Sequence, residues 1–241
     1  MTEPAPGGDR GPRPDFPGTR SQTLDRGIRV LEILHEAGAP MTIAGLAGEL
    51  KVHRSIIYRI LRTLEDHRLV GRTGEGSYEL GLGLPVLARG VSPGLQSAAL
   101  PAMSLLANET GKTAFLVVPS GGEAITLLSV EPRQSVAHIA YAPGMRHPLE
   151  QGAPGMALLS AWPPRQGERP EVARAREQGW AYSRSEVLPG MSSVAAPITS
   201  TAGPAAVSVV YLEAPALTPE ERAELGLRVR AAAREIMLDL P

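Results

Sequence analysis

The 241-residue chain has no cysteine. Disulfides, thiolate metal sites and cysteine nucleophiles are therefore excluded. No stretch reaches 18 consecutive apolar residues, the length a membrane-spanning helix needs, and the N-terminus lacks the apolar segment of a secretion signal. Together these absences point to the cytoplasm. Catalytic signatures are missing too: there is no G-x-S-x-G, no H-E-x-x-H and no P-loop. Gly74 and Gly76 begin a G-x-G-x-x-G, but Glu79 stands at its third glycine position and the segment follows a helix instead of opening one. No serine, histidine and acid are spaced as a triad, so neither catalysis nor a cofactor is expected. Lysine is almost absent, only Lys51 and Lys112 standing among the 24 basic residues. That bias reflects base composition and is given no functional weight.

What is present suffices for two domains, each with its own core. Apolar residues make up 43% of the chain, as in an ordinary globular protein. Residues 1–20 hold five prolines and four glycines with little apolar content, and are read as a disordered tail. Leu24, Ile28, Leu31 and Leu34 recur at helical spacing up to about Ala37, and Gly38 and Pro40 end that helix. A second helix, Ile43 to Leu50, follows Thr42 as its N-cap. A turn at Lys51-Val52-His53 leads into a third, about Arg54 to Arg68. Val70–Thr73 and Ser77–Leu80 form a hairpin around Gly74 and Gly76. After a helical piece, Leu82–Arg89, the break at Val91-Ser92-Pro93-Gly94 marks a boundary. A linker and connecting helix occupy 91–110. Beyond it, strands are expected at Thr113–Val118, Ala124–Val130, Val136–Tyr141, Trp180–Ser183, Val194–Thr199 and Ala206–Leu212. Helices are expected at Gly155–Trp162 and from Thr218 to Leu240. The fold class is α+β: residues 21–90 a winged helix-turn-helix, residues 111–241 an antiparallel sheet flanked by helices.

Net charge is −1, which taken whole argues against nucleic acid. Its distribution argues the other way. Between Lys51 and Arg72 stand six basic residues against Glu65 and Asp66, a local excess of +4. On the third helix Ile57, Ile60, Leu61 and Leu64 share one face, and Ser55, Tyr58, Arg59 and Arg62 lie roughly opposite. A helix buried on one side and offering Arg, Ser and Tyr on the other fits the major groove. Arg54, Ser55, Tyr58, Arg59 and Arg62 are the candidate DNA contacts, joined by Arg72, Ser77 and Tyr78 on the hairpin. Ala47 is the small residue where the two helices meet, with Ile57 ten positions on. Lys51 takes the turn position where glycine is often found, at some conformational cost. A lone basic amphipathic helix is more often a solvated face. The small helix, tight turn and glycine hairpin in this order reverse that judgement.

At these residues the chain resembles the IclR family of bacterial transcriptional regulators. The matching segments are SQTLDRGIRVLEIL, TIAGLAGELKVHRSIIYRILRTLEDHRLVGR and SYELG, then GMRHPLEQGAPGMALLSA, GWAYSRSEVLPGMSSVAAPI and AAVSVVYLEAP. The resemblance runs from about Ser21 to the C-terminus. It implies that the second domain is a GAF-like effector-binding and oligomerisation domain, that the protein is a dimer or tetramer, and that it binds double-stranded DNA at (pseudo)palindromic operators. It implies control by a small organic or aromatic acid, or a related catabolite, and regulation of a catabolic operon.

By resemblance, the effector pocket is walled by Leu149, Ala153, Pro154, Gly155, Ser183, Met191, Ser193 and Ser208, with backbone amides holding a carboxylate. Three departures bear on the ligand. Pro154 stands where many relatives offer an N–H, Met156 where Lys is common, and Ser193 where Cys is common. The first weakens the case for a small carboxylate held by two adjacent amides, and Pro154, Met156, Met191 and Val210 together point to a larger or less polar ligand, for example an aromatic one. His138 and His147, nine residues apart without a tight acidic cluster, are a weak metal signal; no metal is expected, and a ligand hydrogen bond is the other reading. A DNA-binding protein without an effector, whose second domain serves only dimerisation, is the alternative; an enzyme is the more distant one.

Overall fold

The computed structural model describes residues 21–88, 90–134, 141–201, 203–213 and 215–240. The tail at 1–20 and the strand expected at Val136–Tyr141, except Tyr141 itself, lie outside these residues. The chain divides into two compact units, 1–91 and 92–241.

In the first unit, α1 (Gln22–Ala37) begins at Ser21, whose hydroxyl accepts the Leu24 N–H, and ends at Gly38 in the left-handed region. Next, α2 (Ile43–Leu50) is capped by the Thr42 hydroxyl. Lys51 then takes φ 52°, ψ 45° and its N–H closes on the Ala47 and Gly48 carbonyls. This turn sets α3 (Arg54–Asp66), whose N-cap is His53. The strands β1 (Val70–Arg72) and β2 (Tyr78–Leu80) pair antiparallel, Val70 opposite Leu80. A short α4 (Gly83–Ala88) follows. Val30, Leu34, Leu46, Ala47, Ile57, Ile60, Leu61 and Val70 form the core. The i, i+3, i+4 apolar spacing of α3 is thus spent inward, and its polar stripe is left outside.

The second unit is a six-stranded antiparallel sheet in the order β5-β4-β3-β8-β7-β6. Its strands are β3 (Thr113–Ser120), β4 (Glu123–Val130), β5 (Arg146–Pro148), β6 (Ala181–Arg184), β7 (Met191–Ser200) and β8 (Gly203–Leu212). The two-residue side-chain period divides it into two cores. Leu116, Val194, Ala196, Val207 and Val209 face α5 (Pro93–Thr110) and α8 (Pro219–Asp239). Phe115, Val117, Ala195, Ala206 and Val210 face α6 (Gly152–Ser160) and α7 (Pro170–Gln178). Both faces are covered, which is why the central strands read as almost continuous apolar runs. Two elements were not expected from the sequence, β5 and α7. The Gly155–Trp162 helix starts three residues earlier, at Gly152. Among the described residues no helix is long and apolar enough to cross a membrane.

Candidate nucleic-acid interface and ligand recess

Arg54, Ser55, Tyr58, Arg59 and Arg62 are all exposed along α3, Tyr58 at 48%. His53 orders the start of this surface, its Nδ1 lying 2.8 Å from Ser55 Oγ and accepting the Ser55 N–H at 3.3 Å. Arg54, Ser55 and Tyr58 share a shallow concavity with Thr42 and Ile43 at the start of α2 and with Gly76 at the hairpin tip. On the other flank Tyr58, Arg59 and Arg62 border a groove shared with Leu24 and Arg26 of α1. Arg72 is exposed on β1, and Ser77 is half-buried.

Tyr78 corrects the sequence reading. It is 3% exposed and belongs to the core under α1, while its N–H and carbonyl pair with Met41 at 2.8 Å each. The alternation of β2 turns Tyr78 inward and Glu79 outward, so Tyr78 is not available to DNA.

In the second unit, the N-terminus of α6 lies against the loop after β6. Ser183 Oγ accepts the Ala153 N–H at 2.7 Å, and Glu186 Oε2 accepts the Gly152 N–H at 2.9 Å. Arg169, at the N-cap of α7, forks onto Glu186 at 2.9 and 3.0 Å and donates to the Glu150 carbonyl at 2.8 Å. The guanidinium holds the Glu186 carboxyl below its ordinary range. A narrow recess with a cavity volume of about 20 Å³, partly open to solvent, lies beside this cluster. Phe115, Tyr141, Met191 and Val210 give it an apolar wall, closed by Pro154, Val187 and Leu188. The Phe115 and Tyr141 rings are 4.1 Å apart between centroids. Burial pushes the Tyr141 phenol up to about 12, so it stays neutral at ordinary pH. Ser183 Oγ and Ser193 Oγ are hydrogen-bonded at 2.8 Å at its edge.

Of the residues expected around an effector, Pro154, Ser183, Met191 and Ser193 line this recess. Leu149, Ala153 and Gly155 are buried and do not line it. Gly155 passes so close to the Leu149 carbonyl that any side chain would overlap it, so its role is to let α6 approach. Ser208 shares the face of β8 with Val210 but is fully buried and donates to the Val194 carbonyl at 2.9 Å, which removes it from the recess. Met156 is likewise fully buried in the core. The sequence reading missed Phe115, Tyr141, Glu186, Val187 and Leu188. His138 lies outside the described residues. His147 is buried, with Nδ1 3.0 Å from the Pro148 carbonyl and its Nε2 unpartnered among the described residues. No group of three His, Asp or Glu that would hold a metal occurs among the described residues.

A helix-turn-helix with a hairpin wing, followed by an antiparallel-sheet domain, defines a DNA-binding transcriptional regulator. Residues 23–74 match the IclR helix-turn-helix domain, and residues 169–238 match the bacterial transcriptional regulator IclR C-terminal domain. The chain belongs to the IclR family of transcriptional regulators. Among its relatives, SauR of Cupriavidus necator, described as a probable transcriptional regulator, is 29% identical over 72% of this chain and 78% of its own. The HTH-type transcriptional repressor AllR of Salmonella typhi is 26% identical over 90% and 89%. The fold is shared with an IclR regulator of Alicyclobacillus acidocaldarius, at TM-score 0.75 and 23% identity over 92% of this chain and 100% of that one. It is shared equally with an IclR homolog of Microbacterium hydrocarbonoxydans complexed with 4-hydroxybenzoate, at TM-score 0.75 and 23% identity over 91% and 99%.

Proposed function

We propose that this regulator binds a (pseudo)palindromic operator as a dimer or tetramer in the cytoplasm, and that a small aromatic effector in the recess beside α6 sets its operator affinity. The observation that supports the first part is the exposed Arg54, Ser55, Tyr58, Arg59 and Arg62 stripe, bordered by the hairpin tip. Arginine pairs bidentately with guanine in the major groove, and the hydroxyls reach phosphates or base edges. A two-fold assembly presents two such helices to two half-sites.

The recess is narrow as it stands, but its apolar, aromatic wall with a few polar groups has the composition of a ligand pocket that opens around its ligand, and the 4-hydroxybenzoate complex of the Microbacterium homolog supports an aromatic ligand. An effector acts only through its unequal affinity for the binding-competent and incompetent states. The connection between sites is α5, the first element after the unit boundary, packed against β3 and α8. The family resemblance extends this reading to control of a catabolic operon.

Two substitutions separate the parts. Arg59→Ala weakens specific operator binding by about 1–3 kcal/mol while fold and oligomeric state persist; unchanged affinity in a filter-binding titration sinks this assignment of the DNA-reading face. Ser193→Trp fills the recess, abolishing the ligand response and sparing DNA binding; a normal response places the ligand elsewhere.

A further inference from the structure

We propose that the recess takes an uncharged aromatic ligand bearing hydrogen-bond donors, such as an aryl amide or a phenol, and that Glu186 bars the corresponding carboxylates. This rests on the reading of the recess as the effector pocket.

The first turn of a helix offers free N–H groups and a partial positive charge, the natural anchor for an anionic ligand. In α6 that anchor is already used. Glu186 takes the Gly152 N–H, Ser183 takes the Ala153 N–H, and Pro154 has none to give. The chain has put its own carboxylate where a ligand carboxylate would otherwise bind. The neighbouring cation is equally committed, since both terminal nitrogens of Arg169 face Glu186. The pair is electrically closed, so a cationic ligand gains little from Glu186, and an anionic one finds the helix N–H groups taken and no Lys, Arg or His among the described residues that line the recess.

An uncharged ligand with O–H or N–H donors faces better terms. Glu186 lines the recess and is an acceptor, and the linked Ser183 and Ser193 hydroxyls stand beside it. The Phe115 and Tyr141 rings, with Met191 and Val210, supply the surface for an aromatic body. Glu186 also leads directly into the wall of the recess. Val187 and Leu188 follow it directly and form part of the wall, and a methyl group on Gly152 would lie 2.8 Å from Val187 Cγ2. The tie from Glu186 to α6 therefore holds that wall in place.

The test is isothermal titration of the full-length protein with two matched pairs, benzamide against benzoate and 4-hydroxybenzamide against 4-hydroxybenzoate. The wild-type chain is expected to bind each amide about tenfold or more tightly than its acid. Glu186→Ala frees Gly152 N–H and Arg169, so acid affinity rises about tenfold and the preference inverts. Glu186→Gln keeps an acceptor for Gly152 without the charge, so it guards against a folding defect in the alanine variant; its preference narrows. Melting curves establish that each variant is folded. Equal binding of acid and amide by the wild type, or a preference unchanged in both folded variants, overturns the proposal. Binding of neither member of either pair by any form overturns the pocket reading itself.

Discussion

Lys51, Tyr78 and His147 show how single residues carry the account. Lys51 sits at φ 52°, in the left-handed region that the tight turn before α3 requires, and a lysine there accepts a strain that glycine would not. The turn was legible because α2 and α3 leave only three residues between them. Tyr78 was misread because a three-residue strand carries too little alternation to say which face is inside. His147 bears on pH. Burial lowers its pKa from 6.5, although the Pro148 carbonyl pulls the other way. The folded chain therefore binds this proton less readily than the unfolded chain does. Stability contributed by the neutral ring is complete above about pH 6.5 and is lost as pH falls below that value. Urea midpoints are expected to drop between pH 7.5 and 5.5, and His147→Gln is expected to flatten that drop. An identical slope in the variant assigns the acid sensitivity to other groups.

Among the elements, those with long periodic patterns or clear caps were legible. The apolar spacing of α1 and α3 and the Thr218-Pro219 start of α8 announce themselves. In α8 a capping box is complete: Thr218 Oγ1 accepts the Glu221 N–H at 3.2 Å, and Glu221 Oε2 accepts the Thr218 N–H at 2.8 Å. Thr218→Ala should cost about 1 kcal/mol in a denaturant titration; no change would mean that packing of Leu225, Val229 and Ile236 alone fixes this helix. The helix α7 was overlooked because its polar sequence shows little periodicity. Its signals were Pro170 in the first turn and Gly179, at φ 81°, just past the end. The strand β5 is three residues long, too short for any pattern. Glu186 went unnoticed for a different reason. Its partners Gly152 and Arg169 stand 34 and 17 residues away, and only the folded chain brings a loop carboxylate onto the first turn of α6.

For the molecule as a whole, charge and function are separated by location. A net charge of −1 hides a local basic excess between Lys51 and Arg72 in the helix-turn-helix unit, while the sheet unit builds its recess from apolar walls and a neutralised Glu186–Arg169 pair. This division suits a protein that reads a polyanion with one unit and a small molecule with the other. DNA affinity is then expected to fall steeply with salt through counterion release, whereas ligand affinity, resting on apolar contact and neutral hydrogen bonds, should be nearly salt-independent. The most direct measurement is fluorescence anisotropy of the full-length protein on the intergenic DNA beside its own gene. It is run against random DNA of equal length, over a salt series, with and without 4-hydroxybenzamide. Saturable binding that outcompetes random DNA and shifts when the ligand is added is the expected result. Equal affinity for both DNAs at every salt concentration, unmoved by the ligand, would contradict it.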